Sequence, residues 1–318
     1  MVGLISGTIA PAITFIILFG IPLYLMQPMP DYATTGERFA HYIFLTACGF
    51  IFIFLIAPVL VIIPLSFNAE PYFTLRAFST RWYSDIIHNG MIAPNAIEGW
   101  WSDMWENAQW VRATRTSFFI ATISTIIATS LGTLAAIGLS RPEMPYRTLI
   151  TSLLISPMIV PLVITATGMF FFYSSIGIAK TYIGVILAHV TLGIPFVIIT
   201  VTATLSGFDM NLAKASQSMG ASGWITFRRV IMPLILPGMI SGALFAFITS
   251  FDEVVTVLFI ADVEQRTIPR QMFSGIREQI SPTILAVASI LIVLSISLLT
   301  VLELLRRRSE RLRGISPN

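Results

Sequence analysis

Apolar residues in this chain come in long unbroken runs rather than at alternate positions. Seven such stretches follow one another, at about 4–26, 41–66, 115–139, 148–175, 182–205, 231–260 and 283–305. A helix that crosses a bilayer needs about 20 consecutive, mostly apolar residues, and each stretch is long enough. A membrane barrel would instead alternate apolar and polar positions over segments of about ten residues, and that pattern does not occur. The pattern therefore predicts an all-α integral membrane protein. The first stretch carries Pro11 and Pro22, so it reads either as an extra crossing helix or as a segment lying in the interface.

Composition narrows the function classes. Only 11% of the 318 residues are charged and 55% are hydrophobic, against about 25% charged in soluble domains. A soluble enzyme, a disordered tail and a nucleic-acid-binding module are excluded. The net charge of +3 reports which side the Arg residues face, not a nucleic-acid partner. Eleven of the 19 Lys and Arg residues fall on the side that includes the cluster Arg306, Arg307, Arg308, Arg311 and Arg313, directly after the last stretch. That cluster places the C-terminus in the cytoplasm. The N-terminus lacks a basic segment ahead of its apolar run and does not read as a cleaved signal peptide. The one cysteine, Cys48, lies inside an apolar run and cannot form an internal disulfide.

The longest connection on the outer side runs over about 67–114. It holds Trp82, Trp100, Trp101, Trp105 and Trp110 with Glu70, Asp85, Glu98, Asp103 and Glu106. Tryptophan at this density favours the membrane–water boundary, as an interfacial helix or flap. A connection this long also suits a docking surface or lid.

The connection 207–233 on the other side carries the most information. Asp209 or Asn211 can cap a short helix. Leu212, Ala215, Ser216 and Met219 then fall at i, i+3, i+4 and i+7 and predict one face of it. Gly220 stops that helix, Ser222 starts a second, and Pro233 and Pro237 break the approach to the next span. A helix–Gly–helix knob of small and apolar residues suits a groove on a soluble partner.

This segment resembles the EAA loop of the permeases of binding-protein-dependent ABC importers. Their pattern is Glu-Ala-Ala, three residues, Gly, nine residues, Ile-x-Leu-Pro. Here Lys214-Ala215-Ser216, three residues, Gly220, nine residues and Val230-Ile231-Met232-Pro233 keep the spacing throughout. Lys214 in place of Glu reverses a charge at the expected contact. The resemblance extends over about 37–308 and is greatest to the spermidine/putrescine subfamily. It is carried by Phe67-Asn68, Trp82-Tyr83-Ser84, Ser156-Pro157 with Pro161, the runs His189–Thr202 and Leu205–Asp209, and Ser250-Phe-Asp-Glu-Val-Val255. Residues 1–36 and the Trp-rich insert near 90–110 exceed that pattern.

The resemblance implies a six-helix permease core over 37–308, with an outer loop at 67–114 and a coupling loop at 206–230. Outside that core, the N-terminal extension 1–36 is expected from its apolar run to add a transmembrane helix if 4–26 crosses, and 309–318 to form a cytoplasmic tail. The resemblance implies a multi-pass protein of the bacterial inner membrane, and partners: a second permease forming a heterodimer, two ATPase subunits and a soluble binding protein that delivers substrate from outside. The coupling residues would be Asp209, Lys214, Ala215, Ser216, Gly220 and Ala221. No cofactor is expected in this chain; ATP and Mg would sit on the ATPase subunits. The chain's own lysines, Lys180 and Lys214, lie in no G-x-x-x-x-G-K-[ST] loop, so it has no ATPase motif of that kind.

Asp252 and Glu253 are the acids placed deep in an apolar run, and an ionisable residue at such depth is a functional-site candidate. On a continuous helix the pair would diverge by about 100°. They suit a cationic, polyamine-like solute; the alternative is a structural brace with Arg115 or Arg270. Tyr173, in an aromatic run, and His189, in the fourth core span, complete the expected path or gate, although a buried His also serves as an ordinary interhelical hydrogen bonder. No metal spacing and no nucleophile–base set is present, so no catalytic residue is expected. The same loop also occurs in permeases for iron, thiamine, amino acids and anions. A stand-alone secondary transporter would show internal inverted repeats, and none is convincing. A membrane enzyme would have Asp252/Glu253 as its one candidate pair.

Overall fold

The structure is a computed structural model that describes residues 34–69, 77–88, 100–141, 143–207, 210–278 and 282–312. The expected first span (4–26), Asp209 and residues 313–318 of the tail lie outside the described residues. The chain divides into two compact units, Met1–Gly90 with Gln279–Ile292, and Met91–Glu278 with Val293–Asn318. Among the described residues the regular structure is helical, apart from one isolated bridge between Asn68 and Phe78.

In the first unit, α1 (Thr35–Ser66) starts on a capping box. The Thr34 hydroxyl accepts from the Glu37 N–H, and the Glu37 carboxylate accepts from the Thr34 N–H, which satisfies two end groups reciprocally. Past α1 the chain turns back through the Asn68–Phe78 bridge into α2 (Arg81–His88). Trp82 is buried there and its indole N–H donates to the Asn68 carbonyl at 2.6 Å. The Ser66 and Tyr83 hydroxyls lie 2.7 Å apart, and Asp85 accepts from Thr283 at the start of the last helix. Trp82 is therefore a core residue of this corner.

In the second unit the order is α3 (Trp100–Asn107), α4 (Gln109–Leu139), α5 (Arg147–Ile159), α6 (Leu162–Ser175), α7 (Tyr182–Ser206), α8 (Met210–Ser218), α9 (Gly223–Thr226), a π turn (Phe227–Ile231), α10 (Met232–Phe251), α11 (Val255–Ile260) and α12 (Ile268–Glu278). The last helix, α13 (Thr283–Leu312), begins in the first unit and ends in the second. Its stretch Thr283–Ser297 is apolar. Thr35–Ser66, Gln109–Leu139, Tyr182–Ser206 and Gly223–Phe251 are each long and apolar enough to cross a membrane, and α5 with α6 makes a fifth crossing if the bent pair counts as one. With α13 these are the six apolar segments expected from residue 41 onward.

The core of the second unit lies where α4, α7 and α10 meet. Ala128, Ala136, Val190, Val197, Val201, Leu205, Ile235 and Ala246 form it. Small residues let the backbones approach, as in membrane helix pairs generally. A Cβ on Gly193 would stand 3.2 Å from Ala246 Cβ and 3.2 Å from Ala128 Cβ.

Three expectations are corrected. The stretch 148–175 is not one straight helix: α5 and α6 meet at 103°. Val160, before Pro161, is extended (φ −69°, ψ 137°), the conformation that a following proline imposes. Pro233 and Pro237 do not break the approach to the next span, because Gly223–Phe251 runs on as one helical rod. The π turn widens the backbone ahead of Pro233, with the Met232 N–H donating to Phe227 O. That relieves the clash a proline ring makes with the carbonyl four residues back. Finally, 231–260 is not one helix, since α10 ends at Phe251 and α11 restarts at Val255.

Candidate functional site: a coupling knob and an acidic helix break

Residues 210–226 form the knob. Gly220 sits at φ +84° and ends α8 in a Schellman motif. The Ala221 N–H donates to Ser216 O at 3.2 Å and the Gly220 N–H to Gln217 O at 2.9 Å. This closing geometry needs a left-handed residue, which is why glycine is favoured there. The Ser222 hydroxyl then accepts from the Ile225 N–H and caps α9.

The predicted stripe of α8 splits in two. Ala213 and Ser216 turn inward, and the Ser216 hydroxyl meets the buried Thr226 hydroxyl at 3.1 Å. Ser216 is thus placed inside the knob, holding α8 against α9, rather than on its outer face. Leu212, Lys214, Ala215 and Met219 face outward, and Ala221 is half-buried. Trp224 and Ile225 add to the exposed apolar surface. Met219 is 83% and Trp224 67% exposed, so with Leu212 and Ile225 the knob carries several exposed apolar side chains. Trp224 stacks obliquely on Phe227, with ring centres 5.7 Å apart. Composition and spacing do not mark Trp224 as a contact residue; the available signal is the apolar group Trp224, Ile225 and Phe227 in the connection between two spans.

At the other end of α10 the acids lie in a non-helical link. Asp252 is the residue at which α10 stops, and it is exposed. Glu253 is buried and its Oε1 accepts from the Thr256 N–H at 2.9 Å, satisfying one of the open donors at the start of α11. The two acids do not diverge along a helix as expected, because the helix ends between α10 and α11. The expected arginine braces have other partners. Arg115 donates to the Trp105 carbonyl at 2.7 Å and lies over its ring at 4.3 Å. Arg270 donates to the Asp262 carbonyl at 2.8 Å. Burial and the neighbouring Arg266 charge push the Arg270 guanidinium below its ordinary value, and Asp262 opposes them.

His189 is fully buried on α7, and its Nδ1 lies 2.7 Å from Ser250 Oγ on α10. Tyr173 is buried with Ile120, Val185, Ala188, Val257 and Ile260, in the cluster that seats α11. An aromatic wall that the sequence did not single out stands next to Asp252 in the chain. Phe251 meets Phe118 of α4 at 5.1 Å, and Phe247 stacks on Phe251 at 5.7 Å. Phe118 is 39% exposed. Among the described residues, no group of three or more His, Cys, Asp or Glu could hold a metal ion.

Comparison with known proteins agrees with this architecture. Residues 128–311 match the family described as "Binding-protein-dependent transport system inner membrane component". The chain is 30% identical over 261 residues to the "Spermidine/putrescine transport system permease protein PotC" of Haemophilus influenzae, covering 82% of this chain and 95% of that protein. It is 28% identical over 253 residues to the "Putrescine transport system permease protein PotI" of Escherichia coli strain K12, covering 76% of this chain and 82% of that one. A crystal structure of a bacterial ABC transporter involved in the import of the acidic polysaccharide alginate shares the fold, with a TM-score of 0.63 at 13% identity over 87% of this chain and 99% of that one. The chain belongs to the inner-membrane component family of binding-protein-dependent transport systems: it is a multi-pass permease subunit of an ABC importer.

Proposed function

We propose that this permease lines the path of a small organic cation of the polyamine kind, with Asp252 as the contact for its charge. The observation that carries this reading is the position of Asp252, an exposed residue at a helix break, following Phe247 and Phe251 in a wall shared with Phe118. A carboxylate neutralises an ammonium, and aromatic faces attract it through the ring quadrupole. The names of the PotC and PotI relatives support the same substrate class.

The knob supplies the drive. Its exposed Leu212, Ala215, Met219, Trp224 and Ile225 fit a groove on a separate ATPase subunit, which carries ATP and Mg. Gly223–Phe251 is a single helical rod with the knob's second helix at one end and Asp252 directly past the other. Movement of the knob is thereby transmitted to the acidic break, about 30 Å along α10 at 1.5 Å per residue. Two ATPase subunits closing on ATP shift the permease between its inward- and outward-facing states. A second, different permease completes the path, and a soluble binding protein loads it from outside, favouring the ATP-bound state through differential affinity. The basic C-terminal cluster and the knob face the cytoplasm.

The test is uptake into proteoliposomes holding the complete importer and its binding protein. ATP-dependent uptake of radiolabelled putrescine, with none of the neutral sugar trehalose, is expected. Trehalose uptake without putrescine uptake would overturn the substrate reading.

A further inference from the structure

The contact line between α7 and α10 has a regular register. Gly238, Gly242, Ala246 and Ser250 recur every fourth residue along α10. A Cβ at Gly242 would meet Val197 Cα at 2.9 Å, and Ala246 meets Gly193. One turn further toward the acids, His189 meets Ser250. Gly238 and Gly242 pack against Thr204 and Thr200, whose hydroxyls donate within α7, to Thr200 O and Phe196 O, so these contacts with α10 are van der Waals contacts without directional preference. The last is a directional hydrogen bond between buried partners, 1% and 5% exposed. It pins a side chain of α7 to a side chain of α10, two residues before Asp252.

The other side of Asp252 is pinned as well, by the Glu253 carboxylate on the Thr256 N–H. Asp252 therefore stands between two anchored neighbours and is itself exposed. The acid pair divides its work: Glu253 is held within the break by the Thr256 N–H, and Asp252 is left outside that bond.

We infer that His189 is a positioning residue for Asp252: its hydrogen bond to Ser250 fixes the rotation and depth at which α10 ends, and so aims the Asp252 carboxylate into the path. This rests on the reading of Asp252 as the cation contact. His189 does not touch the solute. Losing the bond leaves the helices packed through the Gly242 and Ala246 contacts but lets the end of α10 turn.

The experiment is a double-substitution cycle in the reconstituted complete importer with radiolabelled putrescine as probe, recording KM and maximal uptake alongside the ATPase rate. Ser250→Ala removes one atom and keeps the seam. It is expected to raise KM for putrescine about tenfold, the scale of one buried hydrogen bond, with an unchanged ATPase rate. His189→Val should do the same, whereas His189→Asn, which retains a hydrogen-bonding atom near the Nδ1 position, should stay within about threefold of the parent. In an Asp252→Asn background, Ser250→Ala should change KM by less than about twofold, since its effect passes through Asp252. If Asp252→Asn impairs uptake and Ser250→Ala still multiplies the loss in full, the positioning role is overturned while the reading of Asp252 stands. If Asp252→Asn leaves uptake unchanged, or the parent importer does not carry putrescine, both fall.

Discussion

Replacing Gly220 by alanine puts the coupling knob to a quantitative test. Gly220 holds φ +84°, and an added Cβ there would meet nothing within 4 Å. No clash contributes, so the whole cost is that of placing an L side chain in the left-handed region, about 1–2 kcal/mol. The Schellman bonds from Ala221 to Ser216 and from Gly220 to Gln217 depend on that geometry. The cost therefore falls on the angle between α8 and α9, which sets how Met219 and Trp224 are presented together. If the ATPase subunit binds only the closed knob, its affinity should fall by about 5- to 30-fold, the factor that 1–2 kcal/mol represents. The assay is titration of the ATPase subunit onto nanodisc-embedded permease complex. Gly220→Asn should recover part of the loss, since asparagine tolerates the left-handed region. Gly223→Ala is the control: its Cβ also meets nothing, and its φ lies outside the positive range. Equal effects at Gly220 and Gly223, or none at Gly220, would refute the reasoning.

Other outcomes follow from the same geometry. Met219→Ala with Trp224→Ala should weaken ATPase binding about tenfold or more, as loss of exposed apolar anchors does, while the chain still inserts; unchanged titration would remove the knob face from the interface. Asp252→Asn should lower putrescine uptake in the reconstituted importer while ATPase subunits bind as before; unchanged uptake would take Asp252 out of the path. Gly242→Ala would place a Cβ 2.5 Å from Thr200 Oγ1 and 2.9 Å from Val197 Cα. Overpacking of that kind costs about 1–3 kcal/mol and should lower the unfolding temperature in detergent. Gly138→Ala, with nothing within 4 Å, should not.

The spans and the loop were legible because their signals are strong: runs of 20 or more apolar residues, and a glycine at the right distance from a basic-to-proline segment. The breaks were not. Seven described helical positions carry proline, at Pro58, Pro64, Pro157, Pro195, Pro233, Pro237 and Pro269, and the chain runs on through each. Only at Pro161 does it bend sharply, where Val160 leaves the helix altogether. A proline marks where a bond is missing; packing and local widening, as in the π turn before Pro233, decide whether the helix yields.

The break at Asp252 has no proline or glycine to announce it. Its sign is the spacing of Glu253 and Thr256, an acid three residues before the N–H it caps, which in a run of Val and Phe looks like a continuing helix. The stripe of α8 misled for a similar reason. Periodicity grouped Ser216 with Leu212 and Met219, but a hydroxyl partner on Thr226 was available inside, and a buried polar group goes where it is satisfied. The aromatic wall escaped notice because Phe118 and Phe251 lie far apart in sequence and meet only through the packing of α4 on α10.

On the proposed function, this chain is driven by a separate motor docked on residues 210–226. The most direct measurement is purification of the tagged chain from its native membrane in a mild detergent, with mass spectrometry of what accompanies it, beside the same purification of the Met219→Ala, Trp224→Ala chain. An ATPase subunit and a second permease are expected with the parent chain, and the second permease without the ATPase with the variant. A parent chain that comes out alone, or an ATPase retained equally by both, would contradict it.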